Sequence, residues 1–204
     1  ELICNQNNNF IVLTSVNAVI QKTVDKIFIK NNIIEITKKQ KLDFDTLISQ
    51  LISLGYQRTP IVREKSEFAV RGSIIDIYLT DRKHPIRLDF YDNIIVSIKE
   101  FDFLTQKTLR ELRKENFFIN PSSEILLTKK TISSFRENFR NNFQDYRKSE
   151  IYHSISEGIL PSGIEQYLPF FYKNLSTFFL YCSYCDFLLN SDFIELLETR
   201  IENI

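Results

Sequence analysis

Apolar and polar residues alternate strictly over 86–91, where Ile86, Leu88 and Phe90 interleave with Arg87, Asp89 and Tyr91. A strand has a period of two, so this spelling predicts one face given to core and one that presents Arg, Asp and Tyr. Similar runs cover 67–79 and 94–99, and a shorter one at 61–63 precedes a polar turn at 64–66. Together they predict a small antiparallel sheet. Gly72, inside the 67–79 run, predicts a bulge or bend that re-aims Arg71. Upstream, Phe44, Leu47, Ile48, Leu51 and Leu54 follow helical spacing, with Asp43 placed to cap the start and Gly55 to supply the left-handed stop. A helix with one apolar stripe needs a surface to cover, and the strands come directly after it. The expected unit is a small α+β domain.

The flanks read differently. Residues 10–15 form a buried-strand run, a short helical stretch follows at 16–24, and Ile27 to Ile29 and 33–36 are strand candidates. The turn-prone pair Asn31-Asn32 between them predicts a boundary, and Pro121-Ser122-Ser123 predicts the exit from the central unit. Beyond it, Ile132, Phe135, Phe139, Phe143 and Tyr146 recur at three- and four-residue steps, the stripe of a long amphipathic helix. A turn at 160–163 and an aromatic run to Tyr181 then return the chain to an α/β layer. The sequence has no internal repeat and no low-complexity linker.

Charge narrows the function. Lys plus Arg equals Asp plus Glu at 26 each, so no net field draws the whole chain to nucleic acid or an acidic membrane. Arg136, Arg140, Arg147 and Lys148 are the local candidates for nucleic acid, but Glu137 and Asp145 interrupt them, which favours a solvated helix face. With 43% hydrophobic and 25% charged residues, no apolar run of about 18 residues and no leader pattern, the expectation is a globular cytoplasmic protein without a membrane span. Glu at position 1 and the absence of Met predict a piece of a longer protein.

Candidate chemistry is sparse. Cys4, Cys182 and Cys185 include one C-x-x-C spacing, but zinc needs four ligands, and His84 and His153 are the only histidines. Reduced thiols are expected, and no metal. Gly158 to Gly163 has phosphate-loop spacing without the Lys and Ser/Thr that would follow; Ile164 and Glu165 stand there instead. No nucleophile and base constellation is recognisable. The chain is expected to bind rather than catalyse, with no cofactor of its own.

The run EFAVRGSIIDIY at 67–78, followed by RLDFYDNIIVSIKEFDFLTQKTL at 87–109, resembles the second domain shared by the excision-repair protein UvrB and the transcription-repair coupling factor (Mfd) family, where that domain docks UvrA. The resemblance runs from about residue 10 to about residue 189. At 157–172, EGILPSGIEQYLPFFY is closer to the Mfd form, because Phe170 and Phe171 follow Pro169. It implies α/β plus α+β architecture: a partial, degenerate helicase-like (RecA-type) α/β domain at 1–30 and 122–204, with a UvrA-docking domain inserted at 31–121. It also implies that Arg71, Arg87 and Tyr91 contact UvrA, Tyr91 replacing a more usual Phe and keeping the ring. The acidic metal-binding box of UvrB corresponds here to residues 187–192, where the carboxylates are broken up, which counts against the alternative of a UvrB fragment.

The full-length relative would be an ATP-driven DNA translocase that uses ATP and Mg, with RNA polymerase and double-stranded DNA as further partners. The physics suits the three docking positions, since a guanidinium fork holds a carboxylate by two parallel hydrogen bonds and a neighbouring ring supplies apolar anchor area. Asp89 and Asp92 are the expected rivals for the two arginines within the fold.

Overall fold

A computed structural model describes residues 11–112, 116–161, 163–182 and 185–202. Ser15 caps α1 (Val16–Ile20) by accepting from the Ala18 N–H, and the chain turns into β1 (Lys22–Val24). Residues 11–15 do not form the expected buried strand: Ile11 and Leu13 are about nine-tenths exposed, and Phe10 lies outside the described residues. The expected helix over 16–24 ends at Ile20, because 22–24 pairs with a strand near the other end of the chain. Ile27 to Ile29, expected as strand, sits in α2 (Lys26–Asn31), since the Asp25 carboxylate accepts from the Ile27 N–H at 2.6 Å and starts a helix.

After β2 (Ile34–Ile36) comes the expected helix, α3 (Phe44–Ser53). Asp43 caps it, accepting from the backbone N–H and hydroxyl of Thr46 at 2.8 and 2.7 Å. Gly55 ends it at φ +87°, where a Cβ would stand 3.0 Å from Ser122 Oγ. The strand expected at 61–63 is displaced to β3 (Gln57–Arg58). Residues 61–63 leave the sheet after Pro60, because the Glu67 carboxylate takes the backbone N–H groups of Arg63 and Glu64 at 2.7 and 2.8 Å.

The run 67–79 is two strands, β4 (Glu67–Arg71) and β5 (Ile74–Ile77), joined by a two-residue turn in which Gly72 takes φ +58°. Gly72 is therefore a hairpin turn, not a bulge within one strand. Then follow β6 (Ile86–Tyr91) and β7 (Ile94–Phe101), joined by Asp92 and Asn93, both at positive φ. After them come β8 (Thr108–Glu111) and β9 (Phe117–Ile119). The expected long helix is α4 (Lys129–Asn142); it stops at Phe143, and Tyr146 falls in a separate 3₁₀ turn before α5 (Glu150–Ser156). The remaining elements are a second 3₁₀ turn (Ile164–Tyr167), α6 (Leu168–Phe171), β10 (Leu175–Thr177), α7 (Phe178–Tyr181) and α8 (Phe193–Glu202).

Strand pairing among the described residues is nested. The outermost pair is β1 with β10, the next is β2 with β9, and inside them lies a six-stranded sheet in the order β3-β4-β5-β6-β7-β8. All of its pairings are antiparallel except β3 with β4. Leu47 and Leu51 of α3 cover one face of that sheet, packing with Phe68, Ile75, Ile77, Ile86, Leu88 and Ile98. A second core gathers Phe135, Phe139, Tyr152, Ile155 and Phe171 from the helices after β9. The opposite sheet face holds a small cluster of Val62, Ala69, Tyr78 and Phe101.

Candidate functional site

The open sheet face is built by the alternation itself. Phe68 and Val70 turn toward α3, so Ala69 and Arg71 turn away; Ile75 and Ile77 turn inward, so Asp76 turns away; Ile86, Leu88 and Phe90 leave Arg87, Asp89 and Tyr91 outward. Register sets Asp76 directly across from Ala69 on one side and Arg87 on the other, with Lys99 next to Arg87.

Asp76 is 1% exposed and accepts from both arginines. Arg87 Nε donates to one carboxylate oxygen at 2.6 Å and Arg87 Nη2 to the other at 2.9 Å, while Arg71 Nη2 donates to that second oxygen. The Arg87 guanidinium also lies 4.5 Å over the Phe101 ring. Hydrogen bonding to Asp76 raises the Arg87 pKa despite its partial burial.

The three sequence-predicted positions differ in access. The Arg87 side chain is 14% exposed and the Arg71 side chain 42%, while Tyr91 is 75% exposed. Arg71 and Tyr91 both stand beside the turns of adjacent hairpins, 72–73 and 92–93, which meet where the Phe90 N–H donates to the Ser73 carbonyl at 2.9 Å. Tyr91 pairs across the hairpin with the exposed Ile94. Between the turns lies an open depression of about 320 Å³ lined by Phe44, Gly72, Ser73, Phe90, Asp92 and Asn93.

The expected rivals for the arginines do not take them. Asp89 accepts instead from Ser97 Oγ and from Lys99 Nζ at 2.6 Å. Burial works to raise its pKa, yet these bonds and the neighbouring Lys99 and Arg87 charges hold it below the ordinary carboxylate value. Asp92 sits in the exposed hairpin turn. The intramolecular partner is Asp76, a residue the sequence reading passed over. Its signal was present, a carboxylate between Ile75 and Ile77 in a strand otherwise bound for the core.

Other candidates stay apart from this face. Arg140 Nε donates to the Arg136 carbonyl, Arg147 lies against the Tyr146 ring, and Lys148 pairs with Asp145 on a fully open surface. Cys182 is buried and Cys185 partly so, neither in a disulfide, with Cys4, Ser183 and Tyr184 outside the described residues. Burial pushes the Cys182 thiol up. Of the 158–163 segment, Gly158 closes α5 through a bond to the Ile155 carbonyl, and Ser162 lies outside the described residues. Residues 187–190 line an apolar cleft of about 610 Å³ with Leu13, Val16, Phe178 and Phe179.

Residues 34–124 match the UvrB interaction domain family. The chain is 36% identical over 173 residues to the transcription-repair-coupling factor of Haemophilus influenzae, covering 84% of this chain and 15% of that protein. It is 33% identical over 194 residues to the transcription-repair-coupling factor of Escherichia coli, covering 94% of this chain and 17% of that protein. With the same factor from Rickettsia conorii it shares 34% identity over 173 residues, 84% of this chain and 15% of the relative. The chain thus spans 15–17% of the length of these curated relatives.

Proposed function

The chain is a homologue of the transcription-repair-coupling factors that carries a UvrB interaction domain at residues 34–124, and from that premise we propose that it docks UvrA through the open sheet face at Arg71, Arg87 and Tyr91. The observation that carries the reading is that an accessible guanidinium, Arg71, and an accessible ring, Tyr91, turn to the same sheet face beside the turns of adjacent hairpins. Arg and Tyr are the residue types that dominate protein interfaces, and a site on strands is held more firmly than one on loops.

In this reading residues 31–121 are the docking insert, and 1–30 with 122–204 are parts of a degenerate helicase-like host. The nested pairing of β1 with β10 and of β2 with β9 supports an insert whose two ends return to one neck. The chain itself recruits and does not catalyse. The longer protein would bring UvrA to RNA polymerase stalled at DNA damage, and its ATP- and Mg-dependent translocation on double-stranded DNA would reside elsewhere, in the cytoplasm. Among the described residues no helix is long and apolar enough to cross a membrane. Identity to coupling factors over 84–94% of the chain, well beyond residues 34–124, favours this reading over a UvrB fragment.

Calorimetric titration of UvrA from the same organism into this chain tests the proposal. Saturable binding that Arg71→Ala and Tyr91→Ala each weaken, in variants with wild-type circular dichroism, is the expected result. No binding by the folded wild-type chain, or full affinity in both variants, overturns it.

A further inference from the structure

Two guanidinium groups on one sheet face repel each other, and a site that needs both requires something to hold them together. Asp76 does so. Its carboxylate is almost wholly buried, takes Nε and Nη2 of Arg87, and takes Nη2 of Arg71 on the oxygen it shares with Arg87.

The donor inventory divides the labour. Each guanidinium has five N–H donors in a fixed plane. Arg87 spends its Nε/Nη2 edge on Asp76, rests its face against Phe101 and is mostly covered. Arg71 engages Asp76 through Nη2 alone and its side chain stays accessible, so the donors of Nε and Nη1 are not spent on Asp76. The trio Arg71, Asp76 and Arg87 carries one net positive charge. Beside it Asp89 and Lys99 cancel each other at 2.6 Å.

The geometry points to Asp76 as the positioning residue of the docking site: it anchors Arg71 against Arg87 so that Arg71 meets a single partner carboxylate, with Arg87 acting from beneath. This inference rests on the UvrA-docking reading and deepens it. A preorganised guanidinium loses less freedom on binding than a solvated one, and the anchoring therefore appears as affinity. Without Asp76 the Arg71 side chain is released to solvent, and two like charges push it away from the docking orientation.

A double-mutant cycle in the intact 204-residue chain tests this, with UvrA as the calorimetric probe. Arg71→Ala is expected to cost about tenfold or more in affinity in the wild-type background, as an interface hot spot does, and less than about threefold where Asp76 is already Asn. Asp76→Asn alone is expected to weaken binding. Thermal denaturation establishes that each variant is folded. If Asp76→Asn does not fold because Arg87 is left unpaired, the same cycle is run with Arg87→Gln as the reference background and Asp76→Asn/Arg87→Gln as the test background, so that the loss of Arg87's own contribution is common to both. Equal losses from Arg71→Ala in both backgrounds overturn the positioning role and leave the docking reading intact. Absence of UvrA binding to the wild-type chain removes both.

Discussion

Asp76 and Arg87 face each other directly across β5 and β6, and the carboxylate accepts two parallel hydrogen bonds from the guanidinium at 2.6 and 2.9 Å. The pair lies under the open face more than on it. That relation separates two residues that the sequence treats alike, since Arg71 and Arg87 both take outward positions in strands of alternating character.

Arg87→Ala is therefore expected to damage the fold as well as docking. Asp76, 1% exposed, would keep only Arg71, itself 42% exposed, and the Phe101 ring would lose its cover. Removing one member of a buried ion pair costs roughly 3 kcal/mol or more. Arg71→Ala leaves the Asp76–Arg87 fork in place and is expected to cost about 1 kcal/mol or less, the range of an accessible ion pair. Urea denaturation of the two variants checks the asymmetry; equal losses would show that Asp76 leans on both arginines alike.

Tyr91 is the opposite case. At 75% exposure its ring contributes little to the core, and its cross-strand neighbour Ile94 is itself open. Tyr91→Ala is expected to change stability by no more than about 0.5 kcal/mol, as for surface positions generally, while weakening UvrA binding about tenfold or more. Tyr91→Phe keeps the ring and is expected to keep the affinity. A Phe variant as weak as the Ala variant would assign the contact to the hydroxyl.

The parts of this fold legible in the sequence are those where one local rule acts without competition. Asp43, the stripe through Leu47 and Leu51, and Gly55 define α3, and strict alternation defines β6. The 67–79 run reads as one interrupted strand because strand-like residues flank Gly72-Ser73 on both sides. The signal is phase: the residues that pack toward α3 are even at Phe68 and Val70 and odd at Ile75 and Ile77, a change of face that an unbroken regular strand does not make. At Ile27 to Ile29, β-rich residues are carried into a helix by the Asp25 cap, a tertiary and capping effect that overrides propensity. At the docking face, the outward residues Arg87, Asp89 and Tyr91 follow from alternation, but which carboxylate they meet depends on strand register. Register put Asp76, from the neighbouring strand, opposite Arg87 and gave Asp89 to Lys99 and Ser97.

Acid is expected to loosen the same face. The Asp89 carboxyl titrates below its unfolded value, because bonds from Lys99 and Ser97 outweigh the penalty of burial. On acidification the unfolded chain takes up that proton first, so the Asp89 contribution is complete above the unfolded value near pH 4 and fades as pH falls through the lower folded value. Asp43 and Asp102, lowered by hydrogen bonds from Thr46 and Thr105, act in the same direction. Asp89→Asn is thus expected to make the fall of Tm between roughly pH 5 and pH 2 shallower without abolishing it. Identical slopes in the wild type and the variant would remove Asp89 from the account.

The helical unit after β9 should fail separately from the docking sheet. Phe135 is fully buried there, with ring centroids 4.7 Å from Phe171 and 5.1 Å from Phe139, and it makes no part of the sheet core. Among the described residues the two main cores share one bridging side chain, the partly buried Phe28. Phe135→Ala opens a cavity in a packed aromatic cluster and is expected to cost about 3–5 kcal/mol. With so little shared packing, that loss should fall on the second core, giving an early unfolding transition read by aromatic circular dichroism. UvrA affinity at temperatures below that transition should stay within about threefold of wild type, as expected for distant sites without shared partners. A parallel collapse of affinity and of both cores in one transition would mean that Phe28 and the neck strands couple the two units tightly, and that the docking face depends on the whole chain.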